Sequence, residues 1–460
     1  MEPTQSTNPQ RRKANWRLLL QILGMGALIL ILQIPIEMIG SIVWERDDTR
    51  RQAVNEVAEK WGRAQRAVGP FLLVPYLYWD DHIDDEKKLT KVERTGVATF
   101  LPRDLQVSGS LDSEVRYRGI FETPVYHSRL RFEGSFDRPS FGEWGIDLKE
   151  ILWGRAEAVF EIGDVRAVQS ASALRWGEAE IDFAPGAGMR GGGGGGVHAG
   201  VPLDGGEASY PFSTELELNG SSLIRFAPTG RQTEVRLSSN WPHPSFQGAW
   251  LPTEREVRED GFEAVWRVPH LGRNYPQRWH NGTRANVIGQ SEFGVDLFSP
   301  VDAYRQTERS LKYQLLFLVL TFTTIWLLEV LIGARVHWVQ YGLIGLAMCV
   351  FYLLELSIAE HFGFGAAYAI ASTAVVVLIA SYARVVLASS QRAGVLGVVV
   401  AGLYGCLYVL IQLQDYALLV GSLSLFVVLS IIMYATRRVD WSVVGTGVGA
   451  AGEKEPTGAA

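Results

Sequence analysis

The stretch LLLQILGMGALILILQIPIEMIG, residues 18–40, is apolar for the roughly 20 residues that a helix needs to cross a bilayer. What stands on either side of it decides the architecture. Before it, Arg11, Arg12 and Lys13 follow a polar opening that contains Pro3 and Pro9, so residues 1–15 read as a disordered tail. A secretory signal also pairs a basic segment with an apolar one. Here the apolar run exceeds that pattern, and its exit IEMIGSIVWERDD (36–48) sets bulky and charged residues where a small-x-small cleavage site would stand. Residues 16–40 therefore read as a retained transmembrane helix.

Past this anchor, Val54, Val57, Trp61 and Val68 recur at roughly helical spacing among charged neighbours. That spacing predicts an amphipathic helix over Trp44–Val68, stopped by Gly69-Pro70. From Phe71 to about Pro300 the pattern shortens and alternates. Leu216 and Leu218 alternate with Glu215 and Glu217, and Phe262, Ala264, Trp266 and Val268 share one face opposite Glu263 and Arg267, as a half-buried strand requires. Asn219-Gly220, Asp260-Gly261 and Pro228-Thr-Gly230 mark turns between such runs. The expectation is a mainly-β soluble domain, a sandwich or a twisted open sheet, occupying 41–310 together with its leading helix.

After Pro300 the apolar runs return over Tyr313–Ile332, Val339–Ile358, Phe364–Leu387, Val395–Leu413 and Tyr416–Ala435. Each approaches spanning length. The expected fold class is thus a membrane α-helical bundle plus a mainly-β soluble domain: one N-terminal transmembrane helix, a large β-rich domain, a five-helix bundle over 311–436, and a second tail over 437–460. Lysines and arginines in short loops orient such a chain. With the N-terminus inside, the inner segments carry Arg11, Arg12, Lys13 and Arg17, then Arg335, Arg392, and Arg437 with Arg438, whereas the outer turns at Glu360–Gly363 and Gln414–Asp415 carry none. Both termini are then cytoplasmic and the β domain lies outside, in the periplasm of a double-membrane bacterium. Arg46, Arg50, Arg51, Arg309 and Lys312 run against this bias, but long domains translocate largely regardless of charge.

Composition narrows the function. A formal net charge of −6 without a basic cluster argues against a nucleic-acid partner, since phosphate binding needs concentrated positive charge. Cys349 and Cys406 both fall in apolar runs, which excludes a disulfide framework or a cysteine zinc site in the polar middle. The eight histidines are scattered without metal-ligand spacing, no nucleophile elbow occurs, and the glycines 191–196 lack the lysine and Ser/Thr of a phosphate loop. They read as a flexible connection between strands. No cofactor, metal or catalytic residue is assigned, and the expectation is a protein that is not an enzyme.

Two groups of residues still invite a role. Glu37, Glu329 and Glu355 lie in or near spans, where a carboxylate is costly and marks a paired or functional site; interfacial or helix-pairing roles outweigh an ion pathway. Within SNWPHPSFQGAWLPTEREVREDGFEAVW (239–266), Pro242 and Pro244 bias the chain toward extended geometry, so Trp241, His243 and Phe246 stand on a rigid segment leading into a hairpin with one aromatic face. Such aromatics could contact another envelope protein or a cell-wall component, or could plug the end of a β core, which is the stronger reading.

That same stretch, with IPIEMIGSIVWER (34–46), VGPFLLVPY (68–76), PVDAYRQTERSLKYQLLFLVLTF (300–322) and VQYGLIGLAMCVFYLLELSIAEH (339–361), resembles the bacterial inner-membrane CreD family, the cell envelope integrity proteins. The resemblance spreads over nearly the whole chain; the polar N-terminal extension and the glycine run depart from it. It implies an integral inner-membrane protein connected with envelope integrity, produced under a two-component signalling system and linked to colicin tolerance and β-lactam response in some bacteria. It transfers no catalytic residue. A transporter or membrane enzyme acting on a lipid or cell-wall precursor is the alternative, and the lipid bilayer is a partner on either reading.

Topology is open to direct measurement. In a background lacking Cys349 and Cys406, Gly205→Cys is expected to react with an impermeant maleimide applied from outside intact inner membranes, and Gln391→Cys to stay unlabelled; the opposite pattern would invert the orientation.

Overall fold

A computed structural model describes residues 9–83, 89–190, 195–203, 207–280, 282, 284–297, 303–332, 336–413 and 416–437. Arg335, Arg438, the turn at 414–415, the glycines 191–194 and the residues 1–8 and 438–460 of the expected tails lie outside the described residues. Two compact units emerge, one formed by residues 1–49 and 301–460 and the other by Arg50–Pro300. The expected boundaries at 40/41 and 310/311 move for two reasons. The chain does not break after the anchor, because helix α1 runs unbroken from Pro9 to Trp61 with Pro35 inside it. Residues 9–15, read as tail, are its first turns. After Pro300 the segment Ala303–Lys312 (below) is already helical and groups with the other helices.

The unit 50–300 is a β sandwich. One nine-stranded sheet is centred on Gln65–Ile83, which pairs in parallel with Leu223–Phe226 and antiparallel with Leu89–Phe100 and Glu157–Ile162. The second, also of nine strands, carries Asp104–Arg118, Phe121–Asp137 and Ser209–Ser221 side by side, with Gln232–Ser239 parallel to the first of these. Side chains from both sheets meet in one core: Phe132 of the second packs edge-on against Phe160 of the first at 5.4 Å, amid Leu72, Val74, Leu130, Leu216 and Trp266. The alternation expected at 214–220 and 262–268 holds in register, since buried Leu216, Leu218, Ala264, Trp266 and Val268 face inward. A short helix α2, Ala285–Gln290, buries Ile288 beside the first sheet. Gly69-Pro70, expected as a helix stop, instead lies within the strand Gln65–Ile83, where the register shifts between Val68 and Phe71. Helix α1 has ended eight residues earlier. Its last turns are tied down: Trp61 donates its indole N–H to the Tyr126 carbonyl at 3.2 Å, and Arg116 lies 3.6 Å over the Trp61 ring.

The stretch 239–266 does more than form a hairpin. The chain leaves the second sheet at Ser239, forms an edge strand of the first sheet over Pro244–Gly248, and returns to the second for Glu254–Arg258 and Gly261–Pro269. The hairpin at Glu259-Asp260 is present as expected, but the prolines at 242 and 244 serve a crossing between layers, with Phe246 seated between them. Gly261 takes φ +148°, and a Cβ there would lie 2.0 Å from the Ser239 carbonyl oxygen, so the turn requires glycine.

The other unit is helical. Its members are the apolar part of α1, the short α3 (Ala303–Lys312), α4 (Gln314–Ile332), α5 (Trp338–Phe362), α6 (Phe364–Val386), α7 (Ser390–Gln412) and α8 (Ala417–Thr436). Among the described residues, five helices are long and apolar enough to cross a membrane: α1, α5, α6, α7 and α8. The pair α3 and α4 meets the same test when taken together, bent by 48° at Tyr313, which makes six. Outward-facing Leu418, Phe426 and Val385 are exposed, as lipid-facing positions of such helices are.

Gly261→Ala is expected to destabilise the β unit by about 1–3 kcal/mol, the cost of a non-glycine residue forced into such backbone. Glu259→Ala, exposed in the same turn, should stay within about 0.5 kcal/mol; urea unfolding of both variants decides this, and equal effects would refute the assigned role of Gly261.

Candidate functional site

Inside the helical unit, polar side chains line one face of α3 and continue into α4. Tyr304, Thr307 and Ser310 recur every three residues and are buried, followed by buried Gln314 and Thr321; three- and four-residue steps keep a helix face constant. Facing them is Glu355 of α5, 0% exposed, whose Oε2 accepts from the Ser310 hydroxyl at 2.9 Å. Around it stand Tyr352, Tyr368 and Tyr404, all buried, with the Phe351 ring 4.5 Å from that of Tyr404 and 5.4 Å from that of Tyr368. The Tyr368 hydroxyl donates to the Tyr404 carbonyl at 2.7 Å.

At the beginning of α3, Glu360 is clasped by both arms of Arg46, at 2.8 and 2.6 Å, and accepts from the Tyr304 hydroxyl at 2.8 Å. A fork-to-fork pair of this kind fixes geometry as well as charge. Along α4, Gln314 donates to Gln33 of α1 at 2.9 Å, and near its other end Glu329 accepts from the Tyr341 hydroxyl at 3.1 Å. Glu329 and Tyr341 share a cavity of about 90 Å³ with Gln21, Met25 and Trp338. Of the three carboxylates singled out in the sequence, Glu355 and Glu329 are thus hydrogen-bonded inside the unit, and Glu37 is exposed on α1.

Sequence reading left α3 in the soluble segment and so missed Tyr304, Thr307 and Ser310, although their spacing was there to be read. The pairing of Arg46 with Glu360 had no such signal, because 314 positions separate them.

In the β unit, Trp241, His243 and Phe246 differ in burial. Phe246 is half-buried with its ring 5.7 Å from Phe262 and 5.7 Å from Trp266, Trp241 packs half-buried against the same core, and His243 is exposed. Next to them Asn240 is anchored by accepting from the Ser113 N–H at 2.8 Å, beside a groove of about 360 Å³ lined in part by Asp112, Glu256, Arg258 and Glu263. The segment 244–258 supplies two edge strands, Pro244–Gly248 of one sheet and the fully exposed Glu254–Arg258 of the other. Leu251 and Val257 stand out of it, 69% and 49% exposed. Charge along the second edge is internally matched: hydrogen bonding from Arg267 holds the Glu254 carboxyl below the usual carboxylate range. For Glu234, burial pushes the other way, yet Arg236 and Arg267 bring it below that range. Among the described residues, no three His, Cys, Asp or Glu side chains gather as metal ligands would.

Against known proteins, the match to the family described as Inner membrane protein CreD covers residues 17–442. The Inner membrane protein CreD of Escherichia coli (strain K12) is 33% identical over 421 residues, covering 90% of this chain and 92% of that protein. Among solved structures, an M1 zinc metallopeptidase from Deinococcus radiodurans overlaps 36% of this chain and 38% of its own at 10% identity and a TM-score of 0.20. A mutant of a two-domain M1 zinc metallopeptidase bound to L-arginine overlaps 36% and 39% at 10% identity, also with a TM-score of 0.20. Similarity at that level carries no argument about fold or activity. The long sequence match, running through the anchor, the β unit and the C-terminal helices alike, is what places this chain in the inner membrane protein CreD family.

Proposed function

We propose that this chain maintains the integrity of the cell envelope from the inner membrane, without catalysis, and that its β unit is an interaction module outside the cytoplasm. The observation that carries this reading is the segment 244–258, which supplies an edge strand to each sheet and exposes Leu251 in the connection between them and Val257 in the second strand. An edge strand presents unpaired backbone donors and acceptors, and an extended segment of another chain can add to it, main-chain hydrogen bonds giving affinity and neighbouring side chains giving choice. The exposed part of the sequence-derived contact set, His243 with the rim of Trp241, flanks that edge; Phe246 supports it from within. The partner is another envelope protein supplying such a segment, or a cell-wall component held in the adjoining groove. The distribution of arginine and lysine in the short loops supports the outward placement.

The alternative is a transporter or membrane enzyme working on a lipid or cell-wall precursor, and the observation that favours it is the buried Glu355.

The two readings separate in cells. Leu251→Asp with Val257→Asp is expected to remove envelope protection as fully as deletion while leaving the protein level and the Glu355 site unchanged. A photoreactive residue at 251 or 257 should capture a partner that one at Glu180, on the opposite edge of the same sheet, does not. Protection that survives the double variant but is lost in Glu355→Gln would replace the interaction reading with the alternative.

A further inference from the structure

Glu355 is fully buried, yet among the described residues no cation pairs with it. Its Oε2 accepts from Ser310, and its Oε1 has no hydrogen-bond partner. The groups beside it are neutral hydroxyls: Ser310 from α3, Tyr352 from α5 itself, Tyr368 from α6 and Tyr404 from α7. On α3 and α5, Arg309 donates to the Leu410 carbonyl at 3.2 Å, Lys312 pairs with Glu308 at 3.1 Å and Glu360 pairs with Arg46. An ionised carboxylate here would be an uncompensated buried charge, which proteins avoid by pairing or neutralising it.

A proton on Oε1 removes the charge while leaving Oε2 free to accept from Ser310. The bare Thr307 hydroxyl, one turn from Ser310 on the same face, is also buried without a partner among the described residues. From there, polar side chains continue to Tyr304 and Glu360 in one direction and to Gln314 and Thr321 in the other. We infer that Glu355 is a proton-binding site of the helical unit: its carboxylate takes a proton from hydronium, releasing water, to become a carboxylic acid held at Oε2 by Ser310, and gives the proton back by the reverse step. This stands independently of the role proposed for the β unit.

The test is infrared spectroscopy of the full-length protein in phosphatidylethanolamine and phosphatidylglycerol vesicles, titrated with pH. A carboxylic-acid carbonyl band is expected that disappears in Glu355→Gln and persists in Glu360→Gln. In Ser310→Ala, which retains the carboxyl, the same band should move to higher frequency because the carbonyl has lost its donor; this variant decides the matter if Glu355→Gln does not fold. No band sensitive to Glu355→Gln at any pH overturns the proposal, as does a band indifferent to Ser310→Ala. Loss of the band on adding sodium but not choline at constant pH overturns it in favour of a metal-cation site.

Discussion

The hydrocarbon core of a bilayer offers no partner to an unpaired N–H or C=O, and this chain solves that constraint twice, by helices where it meets lipid and by paired strands in water. Every long apolar segment is helical, with the turn in the α3–α4 pair at Tyr313 as the exception in its run. Where the chain turns polar and alternating, nine strands in each of two sheets take up the backbone hydrogen bonds instead. The change occurs within a few residues after Trp61, at Gly62, whose N–H still closes the helix on Ala58 before the strand at Gln65 begins.

Within the sandwich, closure of one side depends on a segment that belongs to both layers. Phe246, from the edge of one sheet, lies between Phe262 and Trp266 of the other, and Trp266 in turn meets Phe293 at 5.6 Å. Aromatic rings in such offset contacts add to the area they bury. The same crossing supplies an edge strand to each sheet, so the segment that helps complete the core also carries the surface proposed for a partner.

In the helical unit the polar groups are few and mutually arranged. Arg46 and Glu360 satisfy each other with Tyr304, and Gln314 donates to Gln33 across α1 and α4 while its own Oε1 stays without a partner among the described residues. Glu355 differs in being fully buried with one oxygen held by the Ser310 hydroxyl and the other without a partner among the described residues.

From the sequence alone came the order of elements, since hydrophobic run length and alternation are local properties: an apolar stretch long enough to span, a β segment with its turns, then a return to spans. Family membership was likewise legible, because identical residues recur along the whole chain. Glu329 and Glu355 could be named for their place in apolar runs. What only the tertiary structure decided is which side chains meet across long separations. That α1 continues without a break from the anchor to Trp61, that 244–248 joins the opposite sheet from its neighbours, and that α3 brings Ser310 to Glu355 of α5 all depend on packing between elements, which local pattern alone does not fix. The aromatic residues of 239–266 show the reason most clearly: their spacing marked a rigid segment, but whether Phe246 faced a partner or the core was settled by the sheet on the other side of it.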